Sequence, residues 1–412
     1  MDAVDELEQV YRAEATAIRA ALAARLGDVA AAEELVHDAF VAALEHWPAA
    51  GVPPNPGGWL ATTARRKAID RLRRERAGQE KLALLAATDA RPAAGGGGDD
   101  PPSGDGDDQD LLGLIFACCH PALARDSQVA LTLRTVCGLT TAEIAAAFLS
   151  TGPTMAQRLS RARKALKDLG APVRVPDPDH LGDRLAEVLA VVYLLFNEGY
   201  LASAGRTPTR RDLAMQAVAL ARLLHRLMPR EPEVAGLLAL MLLHESRAAT
   251  RFDSWGRLVR MPDQDRSRWD RSLITEATAL LDRALAQHRP GPYQIQAAIA
   301  ALHAEAPAYE RTDWRQIRLL YARLDALAPS PVVRMNRAVA TRFAVGPDAA
   351  LAELDALAGA LDSYRLFHAV RAEVLDALGR GDEARAANER ALALATNPAE
   401  RELLAERLLS AS

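Results

Sequence analysis

The chain has 412 residues, half of them hydrophobic, and a formal net charge of −4, so it can hold roughly two to four domains with their own cores. The near-neutral balance excludes a protein that coats nucleic acid over its whole surface, and any DNA contact must come from local basic patches. Three cysteines exclude a disulfide framework, and no apolar run is long enough to span a bilayer. Because alanine and leucine dominate, we expect an all-α protein in the reducing cytoplasm, with no signal peptide and no membrane contact.

The N-terminal residues predict two amphipathic helices. Residues 2–26 repeat apolar side chains at helical spacing and end at Gly27, after which Asp28 can cap the next helix. That second helix should bury one face, consisting of Leu35, Ala39, Phe40, Ala43 and Leu44, and expose another, consisting of Glu33, Glu34, His37, Asp38 and Glu45. The acidic face suits a basic partner, and an ordinary solvated surface is the alternative.

A third helix carries a dense set of cations. Residues 48–58 should form a loop, because their prolines and glycines disfavour a helix, and the helix should run from Trp59 to about Gly78. Its inward residues are Leu60, Ala64, Ala68, Ile69 and Leu72, and its cations are Arg65, Arg66, Lys67, Arg71, Arg73, Arg74 and Arg76, opposed by Asp70 and Glu75. Like charges at this spacing repel one another, which favours a bound polyanion. Trp59 is interpreted as a core anchor, with base stacking as the alternative.

Residues 88–110 form a Gly/Asp/Pro tract with no apolar side chain larger than alanine, so we expect a flexible acidic linker between two compact modules. Cys118, Cys119 and His120 follow it. They could belong to a metal or nucleophile site, but no second Cys/His cluster lies nearby, and free cysteines are commonly buried. We therefore expect no metal, no cofactor and no catalytic residue here.

Residues 138–168 predict a helix-turn-helix. Thr140 or Thr141 can cap a short helix with Glu143 in its first turn, and Pro153 suits the start of the second helix. The second helix should bury Met155, Leu159, Ala162 and Leu166 and expose Thr154, Gln157, Arg158, Arg161, Lys164 and Lys167. Such hydroxyl, amide and guanidinium groups can read base edges in a major groove, while the cations bind phosphates. A solvated cationic face on an ordinary bundle helix is the alternative.

Taken together, three segments resemble an extracytoplasmic-function sigma factor of bacterial RNA polymerase, over roughly the first 170 residues. The core-binding helix of that family is similar to AEELVHDAFVAAL. Its segment that melts and reads the minus-ten promoter element is similar to GWLATTARRKAIDRLRRE. Its domain that reads the minus-thirty-five element is similar to LTLRTVCGLTTAEIAAAFLSTGPTMAQRLSRARKAL.

The resemblance implies a role for each segment. Polymerase core would be bound by Glu34, Leu35, Asp38 and Phe40. The minus-ten element would be bound by Trp59, Arg65, Arg66, Lys67, Asp70, Arg73 and Arg74, and the minus-thirty-five element by Thr154, Gln157, Arg158, Arg161 and Lys164. The chain departs from the family at Arg66, where asparagine is frequent.

The C-terminal half predicts a helical array that ordinary members of that family lack. After a Pro-rich linker at 172–180, helical patterns pair 212–227 with 233–244, 273–288 with 293–304, and 314–328 with 332–343. Residues 378–398 resemble the second half of a tetratricopeptide (TPR) repeat, with Ala384, Ala387 and Ala391 where helices approach closely and Pro398 closing the unit. A TPR-like array presents concave surfaces, so a regulatory protein or peptide is an expected partner.

Two polar segments of this half are weaker candidates for a site. Asn197, Glu198 and Tyr200 follow an apolar helix, and residues 251–270 concentrate Arg, Asp and Trp. These residues could form a ligand pocket or an interface, but a polar network that closes the array is the favoured interpretation.

The sequence thus predicts a region 2-like domain (1–80), an acidic linker (81–109), a region 4-like helix-turn-helix domain (110–171), a second linker (172–180) and a TPR-like domain (181–412). The leading hypothesis is a sigma factor that binds RNA polymerase core and promoter DNA, regulated or supported by its C-terminal domain and not an enzyme. The alternative is a helical-repeat adaptor with an ordinary DNA-binding regulator module.

Overall fold

The computed structural model of the chain describes residues 3–86, 104–148, 150–200 and 211–410. The regular elements of these residues are α-helices, together with short 3-10 turns and one isolated bridge between Phe252 and Leu258, which confirms the all-α prediction. They form two compact units, residues 1–191 and 192–412. Within the described ranges, no helix is both long enough and apolar enough to cross a membrane.

The N-terminal unit is built from consecutive helices. They are α1 (Ala3–Leu26), α2 (Val29–Ala50), α3 (Pro56–Ala86), α4 (Gly104–Cys118), α5 (Arg125–Thr135), α6 (Thr141–Ala147), α7 (Gly152–Asp168) and the first part of α8 (Pro178–Tyr200). Helices α1, α2 and α3 pack on one another, α4 packs along α1, and α5, α6 and α7 pack together. Fully buried side chains such as Leu60, Phe116, Leu131 and Met155 fill the interior.

The junction of α1 and α2 matches the sequence prediction. Gly27 ends α1 with a φ of +64°, a conformation that glycine adopts without the steric cost of a Cβ. The Asp28 side chain then accepts hydrogen bonds from the backbone N–H groups of Ala30 (2.9 Å) and Ala31 (3.1 Å). The predicted cap is confirmed.

The predicted loop at 48–58 is wrong at both ends, because α2 continues through Pro48 to Ala50 and α3 begins at Pro56. Proline removes one hydrogen bond from the last turn of α2, but the preceding Trp47 is anchored in the core at 2 % exposure. At the start of α3 the proline needs no N–H partner, and the Asn55 side chain accepts a hydrogen bond from Gly58 N at 2.8 Å.

Three predicted core residues are instead exposed: Leu44 by 48 %, Ile69 by 42 % and Leu72 by 39 %. On α3, Leu60, Ala64 and Ala68 form the buried stripe. Ile69 lies 100° around the helix axis from Ala68 and therefore outside the buried stripe. Next to Leu72, the contact with α2 is made by Arg71, which forms an ion pair with Glu34. The hydrophobic periodicity identified the buried face of α3 correctly but predicted a wider buried stripe than the structure has.

The two linkers differ from their predictions. Most of the acidic linker, residues 87–103, lies outside the described residues, but its last residues begin α4 at Gly104. In the second linker Val173 is buried, and a Cβ on Gly113 of α4 would lie 2.7 Å from Arg174 Cα. Residues 178–180 already belong to α8, and residues 181–191 fall within the N-terminal unit. The segment after α7 is therefore packed onto α4.

The C-terminal unit is a succession of helix pairs. They are the end of α8, α9 (Arg211–Leu227), α10 (Pro232–Glu245), α11 (Arg271–Leu285), α12 (Pro292–Glu305), α13 (Trp314–Leu327), α14 (Pro331–Ala344), α15 (Pro347–Asp355), α16 (Ala358–Leu361), α17 (Arg365–Ala377), α18 (Gly381–Leu394) and α19 (Pro398–Ser410). The three predicted pairs correspond to α9–α10, α11–α12 and α13–α14. Ala384, Ala387 and Ala391 are buried as predicted, but Pro398 begins α19 instead of closing the unit.

Helix α10 is the centre of this unit. Its residues from Val234 to Leu243 are all buried, and it packs against α9, α11 and α12. Gly236 allows α12 to approach closely, because a Cβ at that position would lie 2.7 Å from Gln294 N. An almost uniformly apolar α10 is what a helix surrounded by other helices requires.

Candidate functional site

The exposed face of α2 keeps all of its predicted residues except Glu33. Glu34, His37 and Asp38 lie on the surface, with Glu34 forming an ion pair with Arg71 of α3 at 2.7 Å. Leu35 and Phe40, which the resemblance assigns to polymerase core, are 4 % and 5 % exposed. These two side chains lie inside the described unit, whereas Glu34, His37 and Asp38 are on its surface, and the assignment of Glu34, Leu35, Asp38 and Phe40 to polymerase core stays a prediction.

The cations of α3 divide into a paired and an unpaired group. Arg71 pairs with Glu34, and Arg73 lies 4.0 Å from Asp70, with both of those side chains largely exposed. Arg74 donates a hydrogen bond to the Asp70 carbonyl at 3.2 Å. Arg65, Arg66 and Lys67 form no ion pair with any described residue. These three consecutive cations lie on or near the surface, so an anionic partner could bind them without displacing a carboxylate.

Trp59 lies at the start of this cationic helix, half-buried in an aromatic cluster. Its ring stacks on His46, with centroids 6.1 Å apart, and meets Trp47 edge-on at 5.6 Å. Trp47 is itself buried. This packing supports the interpretation of Trp59 as an anchor that fixes the beginning of α3.

The helix-turn-helix forms as predicted in its described residues. The Thr140 hydroxyl accepts a hydrogen bond from Glu143 N (3.2 Å), and the Glu143 carboxylate accepts one from Thr140 N (2.7 Å), which is a capping box. Thr151 caps α7, and the stripe of Met155, Leu159, Ala162 and Leu166 is buried. Leu149, between α6 and α7, lies outside the described residues.

The outer face of α7 presents Thr154, Gln157, Arg161 and Lys164 to solvent. Arg161 and Lys164 form no ion pair with any described residue. Arg158 differs, since its guanidinium lies 3.6 Å from Asp126 of α5 and 5.3 Å from the centroid of the Phe148 ring. The face therefore offers two free cations and two neutral polar groups, while Arg158 is restrained by its neighbours.

Comparison with known families places these two cationic helices in recognised domains. Sigma-70 region 2 matches residues 10–78, which include α2 and the first two-thirds of α3, and Sigma-70 region 4 matches residues 114–166, which include the helix-turn-helix. The chain belongs to the sigma-70 family. Region 2 and region 4 together support a sigma factor that binds RNA polymerase and promoter DNA, a class of proteins that are not enzymes.

The rest of the chain has relatives of undetermined role. A family of unknown function, DUF6596, matches residues 184–285. The uncharacterized protein R00370 of Rhizobium meliloti (strain 1021) is 46 % identical over 371 residues, which cover 90 % of this chain and 87 % of the relative. The two chains therefore match over most of their lengths and belong to one family. No solved structure matches the chain.

In this sigma-70 family member, region 4 is tied to region 2 by ion pairs. Glu33 of α2 accepts a hydrogen bond from Arg134 Nε at 2.7 Å, and its other oxygen lies 2.5 Å from the Arg163 guanidinium of α7. Lys167 of α7 lies 2.8 Å from Asp28 at the start of α2. The sequence prediction that Glu33 is exposed is wrong, because its side chain is only 16 % exposed between two arginines. A helix pattern identifies a polar face but not the domain that covers it.

Hydrogen bonds from α1 to the end of α5 reinforce the same contact. The buried Arg19 donates to the Thr135 carbonyl, and the Thr16 hydroxyl donates to the Val136 carbonyl at 3.2 Å. Sequence reasoning did not find any of these contacts. An arginine within the apolar face of α1 was the one available signal, because buried charge requires a partner.

The electrostatics of this contact favour ionised Asp28. Burial opposes ionisation, but the hydrogen bond from Lys167 and those from the backbone N–H groups of Ala31 and Ala30 outweigh it. The pKa of Asp28 is therefore lowered from its ordinary value of 3.8. The charge of this cap contributes to the contact between α2 and α7 at neutral pH.

The cysteines are packed in the core. Cys118 and Cys119 are 0 % and 1 % exposed, and burial raises the pKa of both thiols, that of Cys119 to about 11. The Cys119 Sγ atom lies 3.6 Å from the Thr132 hydroxyl. Across the described ranges, no group of three or more His, Cys, Asp or Glu side chains is placed to hold a metal ion.

The two weaker candidate segments of the C-terminal unit do come together. Tyr200 of α8 accepts a hydrogen bond on its hydroxyl from Arg247 (2.8 Å), and the Arg251 guanidinium lies 3.5 Å above its ring. The Trp269 indole donates to the Thr250 hydroxyl at 3.0 Å. These contacts form a polar network at this end of α10, and Asn197 lines a cavity beside it.

Proposed function

We propose that the chain is a sigma factor of the extracytoplasmic-function type whose region 2 binds polymerase core through the exposed part of α2 and the minus-ten element through α3. Its region 4 binds the minus-thirty-five element through the outer face of α7. The observation that carries this proposal is that Arg65, Arg66 and Lys67 on α3, and Arg161 and Lys164 on α7, form no ion pair with described residues. Two unpaired cationic surfaces in one compact unit suit two separate contacts with a polyanion.

The side chains on the two surfaces suit different roles, base reading on α7 and binding of an opened strand on α3. On α7, the Gln157 amide and the Thr154 hydroxyl stand beside Arg161 and can reach base edges of an intact duplex. On α3, the three consecutive cations can follow the backbone of a separated strand. Trp59, packed on His46 and Trp47, supports α3 from inside instead of stacking on a base.

Binding both elements at once requires region 4 to leave region 2. A compact unit of about 190 residues has a radius of gyration of about 16 Å, whereas elements about 25 base pairs apart are separated by roughly 85 Å along the duplex. The ion pairs of Glu33 and Asp28 with α7 therefore hold a closed form that promoter binding must open. We further propose that the C-terminal unit regulates or supports the use of these two regions.

Native gel electrophoresis of the full chain with purified core polymerase tests the proposal. The chain should co-migrate with core, and Asp38→Lys should weaken this binding, because Asp38 is exposed and has no ion-pair partner among the described residues. Asp183→Lys is the matched control, since it reverses an exposed acid on α8, outside the residues that match region 2 and region 4. A chain that binds duplex DNA but ignores core polymerase would support the adaptor hypothesis instead.

A further inference from the structure

The C-terminal unit contains a cavity of about 530 Å³ between α8, α10, α12, α13 and α14. Sites for small organic molecules usually have volumes of roughly 300–1,000 Å³ and mainly apolar walls with a few polar groups. Here Leu240, Leu243, Ile299 and Leu324 supply apolar wall, and Tyr193 and Asn197 supply polar groups. By size and lining, the cavity can hold a small organic molecule.

The charges around the cavity are unbalanced. Among the described residues, its lining includes Arg247 but no aspartate or glutamate. The Arg247 guanidinium donates to the Tyr200 hydroxyl at 2.8 Å and lies 5.8 Å from the centroid of the Trp269 ring. It forms no ion pair with a carboxylate of the described residues. A half-buried cation without a carboxylate partner favours a bound anion, because the cost of removing it from water is otherwise not offset.

Two more arginines add to this positive potential. Arg251, 8 % exposed, donates to the Tyr200 carbonyl, and Arg266 donates to the carbonyls of His303 and Ala306. Like Arg247, neither has an ion-pair partner in the described part of the chain. Their hydrogen bonds go to neutral carbonyl oxygens, and their charges are partly offset at longer range, Arg251 by Glu245 and Glu400 and Arg266 by Glu310.

Two polar residues of the lining, His303 and Asn336, have side-chain atoms without a hydrogen-bond partner among the described residues. The Nδ1 atom of His303, a lining residue, is buried and has no hydrogen-bond partner in the described structure. Burial and the nearby Arg247 and Arg266 lower the pKa of His303 to about 4, so the ring is neutral at pH 7. The side chain of Asn336, also in the lining, makes no hydrogen bond with a described residue. A ligand in the cavity could bond to this amide.

We propose that this cavity binds a small organic anion, with its acidic group at Arg247 and its apolar body against Leu240, Leu243 and Ile299. The inference stands on the C-terminal unit alone and does not depend on the proposed function. It assigns a ligand class to part of the chain that matches DUF6596, since Tyr193 and Asn197 of α8, helix α10 and Arg247 fall within residues 184–285.

The test uses two fluorescent dyes with the same ring system on the full chain. One is 8-anilinonaphthalene-1-sulfonate, which is an anion, and the other is N-phenyl-1-naphthylamine, which is neutral. The chain should bind one anionic dye per molecule at least tenfold more tightly than the neutral dye. Arg247→Gln should remove this preference, whereas Arg289→Gln, an exposed arginine paired with Glu231 outside the cavity, should retain it.

A cavity-filling variant keeps the test decisive if Arg247→Gln does not fold. Ala300 lines the cavity, so Ala300→Phe should weaken the binding of both dyes at least tenfold while the circular dichroism spectrum stays helical. An equal affinity of the wild-type chain for both dyes would overturn the proposal. The same conclusion follows if Ala300→Phe, or a folded Arg247→Gln, binds the anionic dye as tightly as the wild-type chain.

Discussion

The carboxylate of Glu33 lies 2.5 Å from the guanidinium of Arg163, so a residue of region 2 is bound to the helix with which region 4 would read DNA. Arg134 binds the other Glu33 oxygen at 2.7 Å. Arg163 lies on the inner side of α7, whereas Arg161 and Lys164 point outward. The same helix can therefore be held by region 2 on one side and remain free for DNA on the other.

Glu33→Gln should loosen this contact. The substitution removes the carboxylate that pairs with Arg134 and Arg163, whose side chains are only 26 % and 22 % exposed. We therefore expect a loss of about 1–3 kcal/mol in the free energy of unfolding. Urea unfolding measures the loss, and hydrogen exchange should accelerate in α7. Glu34→Gln is the control, because Glu34 is 68 % exposed in its pair with Arg71, and its loss should stay below about 1 kcal/mol. Equal losses for the two variants would contradict the role given to Glu33.

Asp28→Asn should make the contact between α2 and α7 less sensitive to acid. Asparagine retains the capping oxygen but loses the charge that pairs with Lys167. Since the folded-state pKa of Asp28 is lowered below 3.8, its stabilisation is present above about pH 4 and is lost as the pH falls through the folded-state value. Urea unfolding at pH 7 should show a loss of about 0.5–1 kcal/mol that decreases as the pH falls below about 4 and through the folded-state pKa. A constant difference across this range would rule out the charge as the cause.

The C-terminal unit should lose stability between pH 6.5 and about pH 4. Burial and the neighbouring arginines lower the pKa of His244 to about 3 and that of His303 to about 4, from 6.5. In this range the unfolded chain binds protons that the folded chain does not, so the free energy of unfolding falls as the pH falls. Thermal unfolding followed by tryptophan fluorescence measures it. His244→Gln should flatten the dependence, and an unchanged slope would contradict the assignment.

Arg161→Gln should weaken duplex binding more than Arg158→Gln. Arg161 is exposed and unpaired among described residues, whereas Arg158 is already held by Asp126 and Phe148. Fluorescence anisotropy at several salt concentrations measures both. If Arg161 binds phosphate, the slope of log K against log salt should fall by about 0.9. If it reads a base, the loss should be about 1–3 kcal/mol on the preferred sequence only. A larger loss for Arg158→Gln would reverse the assignment.

Local signals in the sequence predicted much of this structure. The stripe from Met155 to Leu166, the Thr140 cap and the Asp28 cap were all correct, because each depends on residues within one or two helical turns. The pairing of helices in the C-terminal half was correct for the same reason.

Long-range contacts were not predictable in this way. Glu33 and Arg163 are separated by 130 positions, and nothing near Glu33 in the sequence indicates that α7 covers it. Ile69 shows the opposite error. Its apolar side chain fits the helical pattern of α3 and was predicted to be buried, yet no element of the described structure covers it. The cavity beside Arg247 depends on five helices that span residues 178–344. Hydrophobic periodicity shows which face of each helix is apolar, but it does not show which other helix packs against that face.

In vitro transcription from a library of random duplexes, with core polymerase and the full chain, tests the role of the chain most directly. We predict transcripts whose templates share two sequence elements at a fixed spacing. Arg66→Gln should relax selection of the downstream element, and Arg161→Gln that of the upstream one. Transcripts no different from those of core polymerase alone would contradict the assignment of the chain as a sigma factor.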